Sequence, residues 1–354
     1  MPLIIGNEIA SELVTMRECM DSLEAVYKEE GRGEAVNRNK SAIHVPTKDP
    51  NLWYRYVTMK GASLALGLLA LRIKTDMVSW QPVNGIDREL WYTSRVGKYG
   101  GLVLLFSTEN GELLAILNDG FIQHMRVVGT YALGAKFMSR PGAQVVGILG
   151  SGGMARGYLE ALSLVRPLSK VKVYSPTREN REKYVREMGK KLKVEIVPVG
   201  SIEKAAKDVD HLASMTDAVD PIVYPHLLPD GVHLCTVTTQ EMSPDAYKRI
   251  DRMVAHRTAV SEHLFVTDRR PKQLGGSHSK TVEWESVVPL KISFTDLLVG
   301  HASGRENDSE VTYFVSEGMG TQFAAVAGLI YRKAKEQGLG RELPLDWFLQ
   351  DVRT

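Results

Sequence analysis

Residues Gln144 to Arg156 read Gln-Val-Val-Gly-Ile-Leu-Gly-Ser-Gly-Gly-Met-Ala-Arg: an apolar run of strand length that breaks into glycines before a helix-forming segment, 155–164. Gly150, Gly152 and Ala155 occupy the three small positions of the dinucleotide fingerprint G-x-G-x-x-G/A. Gly150 permits a tight turn out of the strand. Gly152 lets a pyrophosphate approach the backbone, and Ala155 allows close packing of helix on sheet. The free N–H groups at the helix start, with its dipole, suit an anionic diphosphate. Gly150, Ser151, Gly152, Gly153 and Met154 are therefore candidate cofactor-binding residues. An ordinary strand–turn–helix corner is the competing reading.

An NAD-specific site requires an acid at the end of the second strand, to bond the ribose 2′-OH. Here that strand ends Val173-Tyr174-Ser175-Pro176-Thr177-Arg178, with no acid before Glu179. Ser175 and Thr177 offer hydroxyls, and Arg178 can pair with a 2′-phosphate in two-point fashion, with Arg181 one turn further. The expected cofactor is NADP(H) rather than NAD(H); the competing reading makes Arg178 a surface charge.

These groups need elements to hold them. The 354 residues, 44% hydrophobic and 24% charged, describe a soluble globular chain of about two domains. A net charge of +2 argues against nucleic acid and membrane surfaces as partners. Cys19 and Cys235 stand alone, without C-x-x-C or a His/Cys cluster, so neither a disulfide framework nor a metal is expected. The start lacks the pattern of a secretory signal, and no apolar run spans a bilayer; the expected location is cytoplasmic.

Apolar periodicity predicts a helix over 8–30 and strands over 37–45, 54–59, 66–74, 101–107 and 113–117, with Asn110-Gly111 as a hairpin turn. A helix over 121–138 follows. From residue 145 strands and helices alternate, which predicts an α/β Rossmann-type doubly wound parallel sheet with ligand at the carboxyl ends of its strands. An Ala-rich helix is predicted over 316–335. The basic run in 268–280 either clamps a phosphate or is a solvated face.

Three segments carry a family resemblance. They are Leu114-Ala115-Ile116-Leu117-Asn118-Asp119-Gly120 followed by Arg126, then Ala135-Lys136-Phe137-Met138-Ser139-Arg140-Pro141, and finally Asp296-Leu297-Leu298-Val299-Gly300 with Gly304-Arg305 and Glu310-Val311-Thr312. Together they resemble the ornithine cyclodeaminase/mu-crystallin family of NAD(P)-dependent imine and amino-acid enzymes, over nearly the whole chain. The resemblance implies a discontinuous layout: 1–126 as a substrate-binding and dimerisation domain, 127–307 as the nucleotide-binding domain inserted into it, and 308–354 returning to the first. It implies a homodimer. It also implies a substrate carboxylate held by Arg126, Arg72 and Lys40 or Arg38, with Gln322 nearby and Val237 and Thr238 against the cofactor. A guanidinium suits a carboxylate through two parallel bonds. A structural ion pair of Arg72 with Asp76 or Asp119 is the competing reading.

Two positions depart from the family pattern. Arg72 stands where cyclodeaminases commonly carry lysine, and arginine does not readily release a proton. Gln240, in Val237-Thr238-Thr239-Gln240-Glu241, stands where the catalytic aspartate is expected, and an amide takes no proton from an amine. Glu241 could substitute only in a re-registered loop. With Arg72, Gln240 and Glu241 at the catalytic positions, the expectation is an NADP(H)-dependent oxidoreductase of an α-imino or α-amino acid. The proton donor stays open among His44, Lys74, Glu241 and Gln322. A cyclodeaminase-like lyase using bound NAD, and a catalytically silent NADPH-binding protein of the mu-crystallin type, remain alternatives. Trp80, Trp91, Tyr92 and Tyr99 line a pocket or belong to core and interface.

Overall fold

The structure, a computed structural model, describes residues 1–83, 86–218, 220–256, 262–267 and 285–352. The basic run at 268–280 lies outside them. Polar–apolar alternation in the first third yields a largely antiparallel sheet. Its strands are β1 (Leu3–Ile5), β2 (Ala35–Pro46), β3 (Leu52–Ser63), β4 (Leu68–Val83), β5 (Ile86–Tyr92), β6 (Gly100–Ser107) and β7 (Leu113–Asn118). The helix expected over 8–30 is two helices, α1 (Asn7–Leu13) and α2 (Met16–Arg32). Thr15 is the reason: its hydroxyl accepts the Glu18 N–H (3.3 Å) while the Glu18 carboxylate accepts the Thr15 N–H (3.0 Å), a capping box that restarts the helix.

The long helix α3 (Asp119–Met138) leads into the second sheet. There β8 (Val145–Leu149), β9 (Lys170–Tyr174), β10 (Glu195–Pro198), β11 (His211–Ser214), β12 (His233–Thr236) and β13 (Arg252–His256) alternate with helices, among them α4 (Gly153–Ser163) and α5 (Arg178–Leu192). Next come β14 (Glu262–Phe265), β15 (Leu290–Ser293) and β16 (Thr312–Ser316), then a final long helix (Gly320–Glu336) and β17 (Arg341–Glu342). The second sheet runs β10-β9-β8-β11-β12-β16-β13-β15, parallel throughout, the doubly wound architecture expected.

Sheet membership departs from the expected division in two places. β16, expected to return with 308–354, lies inside the parallel sheet, because Thr312 to Val315 are buried on both faces as a central parallel strand requires. β14, expected within 127–307, instead pairs in parallel with β2 at the edge of the first sheet, which runs β14-β2-β3-β4-β6-β7-β1-β17 with β5 beside β4.

Two close approaches lock the sheets together. A Cβ on Gly320 would lie 2.0 Å from the Lys60 carbonyl carbon, and one on Gly61 would lie 2.4 Å from the Thr321 nitrogen. The N-terminus of the final helix thus rests directly on β3. At the other end, Arg305 donates to the carbonyls of Met138, Gly231 and Glu310, and a Cβ on Gly304 would lie 2.3 Å from the Phe137 oxygen. The Gly304-Arg305 pair therefore clamps the end of α3 to the parallel sheet. Its role is structural.

Candidate functional site

The glycine-rich turn has the shape its residues predict. Gly150 sits at φ +106°, and a Cβ there would lie 2.5 Å from the Met215 oxygen. A Cβ on Gly152 would meet nothing within 4 Å, so open space faces the backbone where a diphosphate would lie. α4 begins at Gly153 with no side-chain cap and no acid in its first turn, leaving its N–H groups to a ligand. Ala155 is fully buried against the core. These residues fit a dinucleotide diphosphate.

At the end of β9 no carboxylate is present in 175–178. Arg181 donates to the carbonyls of Ser175 and Pro176 and lies 5.8 Å from the Tyr174 ring, which shapes the loop. Thr177 caps α5 without using its hydroxyl for the cap. Arg178 points outward, and among the described residues it pairs with Glu182 at 2.7 Å. Beyond β12, the Val237 N–H bonds the Ser214 oxygen (3.0 Å) and Thr238 opens a short turn at the strand ends. Gln240 donates to the Ala218 oxygen (3.4 Å). Glu241 is enclosed and accepts from the Thr216 N–H (3.0 Å) and hydroxyl, and from the Thr238 N–H (3.4 Å). Burial pushes its carboxyl up to about 7. Its bonds tie together the loops that follow β11 and β12.

The second half of the site is the inner face of the antiparallel sheet. The two-residue period puts Arg72, Lys74 and Asp76 of β4 on one side, opposite Met59, Val57 and Arg55 of β3. Arg72 is buried and donates from Nε to Asp119 Oδ2 at 2.7 Å. Of the two partners the sequence offered, Asp119 is the one; Asp76 instead holds Arg55 (2.9 Å) and Lys74 (3.0 Å). Gly101 makes the Asp119 pairing possible, since a Cβ there would lie 2.3 Å from Asp119 Oδ1. The terminal nitrogens of Arg72 make no hydrogen bond among the described residues.

Arg126 is buried on α3 without a carboxylate partner among the described residues. It donates to Gln322 Oε1 (2.9 Å) and Gln123 Oε1 (2.6 and 3.2 Å) and stacks 5.1 Å from the Phe323 ring, which Arg72 also faces at 5.4 Å. Burial, with Arg72 nearby, holds its pKa down to about 10. Gly318, at φ +85°, leaves room for it: a Cβ there would lie 2.7 Å from Arg126 Nη1. Because Gly318 follows β16, Arg126 stands at the carboxyl ends of the parallel strands. Two residues earlier on α3, His124 lines the start of α4, 3.8 Å from a Cβ on Gly153. His124 and Arg126, two residues apart, lie on different faces of α3, the first toward the start of α4 and the second toward the final helix.

Gln322, expected near the substrate, is engaged within the protein. Its carboxamide is fully buried and spent: Oε1 accepts from Arg126 and the Met319 N–H (3.2 Å), and Nε2 donates to Tyr27 (2.9 Å) and Thr130 (3.3 Å). It positions Arg126 instead.

Lys40 reaches the inner face through an irregularity of register in β2, between Arg38 and Ser41, that inserts one extra residue opposite β3. Arg38 stays exposed on the strand. Lys40 makes no hydrogen bond among the described residues. Burial holds its ammonium down to about 8; Glu317 opposes the shift, and Arg55, Arg126 and Arg72 add to it. His44 is buried, 3.0 Å from His263 and stacked on Phe265. Of the aromatic cluster, Trp91 faces the site with Arg55 and Lys74 over its ring (4.6 and 4.5 Å), whereas Tyr99 is exposed. Sequence reading passed over Gln123, Gly318 and Phe323. Only Gln123 had a local signal, its three-residue spacing from Arg126 on one helix.

A doubly wound parallel-sheet domain of the nucleotide-binding type, joined to an antiparallel sheet with the buried cations Arg72 on β4 and Arg126 on α3, defines the class of this protein. A sequence model of the ornithine cyclodeaminase/mu-crystallin family matches residues 81–338, and the chain belongs to that family. It is 26% identical to the Delta(1)-pyrroline-2-carboxylate reductase of Bacillus cereus, over 96% of this chain and 99% of that one. It is 25% identical to the alanine dehydrogenase of Archaeoglobus fulgidus, over 96% and 98%. Among solved structures it resembles the Thermococcus litoralis Delta(1)-pyrroline-2-carboxylate reductase in complex with NADH and L-proline, with a TM-score of 0.78, 25% identity and coverage of 96% and 100%. Among the described residues no helix is long and apolar enough to cross a membrane, and no group of three metal-ligating side chains gathers.

Proposed function

We propose that the protein is an NADP(H)-dependent oxidoreductase that interconverts an α-imino acid and the corresponding α-amino acid. The observation that carries this reading is Arg126, a buried guanidinium without a carboxylate partner among the described residues, at the carboxyl ends of the parallel sheet that also carries the open diphosphate cradle. A buried cation of this kind is costly unless a ligand anion completes it. Arg126 and the free edge of Arg72 hold the substrate carboxylate. Gly150, Ser151, Gly152, Gly153 and Met154 hold the diphosphate, with Val237 and Thr238 beside it. The bound reduced nicotinamide supplies hydride to the C=N carbon.

Lys40 donates the accompanying proton to the imine nitrogen: its ammonium has no hydrogen bond among the described residues, and burial lowers it to about 8. Gln322 holds the Arg126 fork in orientation, and Glu241 holds the loop that carries Gln240. Neither Gln240 nor the enclosed Glu241 serves as the base that ammonia loss requires, which favours redox over lyase chemistry. Arg178, with Ser175 and Thr177, receives the 2′-phosphate; the missing acid at this strand end and the loose Arg178–Glu182 pair support this preference. Ile43, Leu102 and Leu264, exposed on the outer face of the antiparallel sheet, support pairing with a second copy.

The test mixes purified protein with NADPH or NADH, ammonium or methylamine, and a panel of 2-oxo acids. Loss of near-ultraviolet absorbance, faster with NADPH, is expected, from protein that light scattering sizes as a dimer. Absence of turnover across the panel overturns the reductase reading, and a monomeric mass overturns the pairing.

A further inference from the structure

The cationic inner face continues past the carboxylate pocket. Arg72 and Lys74 are two residues apart on one face of β4, which separates them by about 6.6 Å, within reach of the far end of an amino-acid side chain. Arg55 and Lys74 there present two more positive charges, and by themselves they would accept the second carboxylate of a diacid. Two carboxylates stand against that. Asp76, fully enclosed, spends its two oxygens on these cations at 2.9 and 3.0 Å. Glu89 of β5 then faces the remaining edge of Arg55 at 3.9 Å. Burial raises the Glu89 carboxyl, and Arg55 opposes that shift. Among the described residues the inner face sets Lys40, Arg55, Arg72, Lys74 and Arg126 against Asp76, Glu89, Asp119 and Glu317. One cation is in excess, and the cations without a bonded carboxylate are Arg126 and Lys40. That balance of charge favours one bound carboxylate over two.

We infer that Glu89 is a specificity-determining residue: it neutralises the Arg55–Lys74 end of the pocket and so selects monocarboxylic imino acids with uncharged side chains. This rests on the imino-acid site proposed above. Trp91, flanked by the same two cations, forms the wall along which that uncharged side chain lies.

The test has a binding arm and a turnover arm. Protein without cofactor is titrated with propionate or glutarate, followed by tryptophan fluorescence. Wild type binds propionate more tightly than glutarate. Glu89→Gln strengthens glutarate binding about tenfold, the effect of removing one partly buried like charge, with propionate affinity within about twofold, and Glu89→Asp retains the wild-type order. In turnover with methylamine, wild type prefers pyruvate or phenylpyruvate to oxaloacetate or 2-oxoglutarate, and Glu89→Gln shifts that ratio toward the diacids by a similar factor. A wild type that prefers glutarate and the diacids, or a folded Glu89→Gln protein with unchanged glutarate affinity, overturns the inference. Binding as expected without turnover on any substrate sinks the reductase reading and leaves this selectivity standing.

Discussion

Replacing Arg126 with methionine is expected to abolish turnover while leaving the protein at least as heat-stable as the wild type. The two halves of this result have one cause. Arg126 is buried with only the amide oxygens of Gln123 and Gln322 as acceptors, and without a carboxylate among the described residues. The folded protein bears the desolvation of that charge without an ion pair to offset it. Methionine retains much of the stem volume against Phe323 and removes the uncompensated charge. The substrate loses its two-point anchor, so kcat/KM should fall about a thousandfold, or ~4 kcal/mol of transition-state stabilisation. A thermal melt beside steady-state kinetics decides the matter. Retained activity with a melting point many degrees lower would make Arg126 a structural residue and remove the main support for the proposed function.

The second large effect concerns Lys40. Burial holds its ammonium down to about 8, with Glu317 opposing the shift and three arginines adding to it. A proton donor must be protonated, so imine reduction should be level below pH 8 and fall about tenfold per unit above it. Lys40→Arg keeps the charge but does not release a proton, and should cost about a hundredfold or more in kcat with little change in KM. If Lys40 only anchored the carboxylate, arginine would rescue both constants and remove the alkaline limb. Wild-type kcat in Lys40→Arg, or an alkaline limb that persists in it, therefore refutes the donor role.

Motifs whose physics is local were legible in the chain itself. Gly150 and Gly152 need a positive φ and an open backbone, and those needs are written into adjacent residues. The period of two in β3, β4 and β6, the alternation that builds the parallel sheet, and the missing acid after β9 were equally readable. Pairings across long separations were not. Asp76 and Asp119 are equally plausible partners for Arg72 on paper. The choice was made by the register that sets Gly101 beside Lys74 and leaves a gap the size of the Asp119 carboxylate. Lys40 points inward only because one extra residue in β2 reverses the face that follows.

Gln322, expected to meet substrate, is consumed by Arg126, Tyr27 and Thr130, partners from other helices. The sequence by itself determined the nucleotide cradle, the doubly wound class and the candidate basic residues, since each depends on side-chain chemistry and short-range geometry. The tertiary structure decided which of those cations is left without a carboxylate. Ionic balance in a buried site is a sum over every neighbour, and neighbours are set by the packing of both sheets.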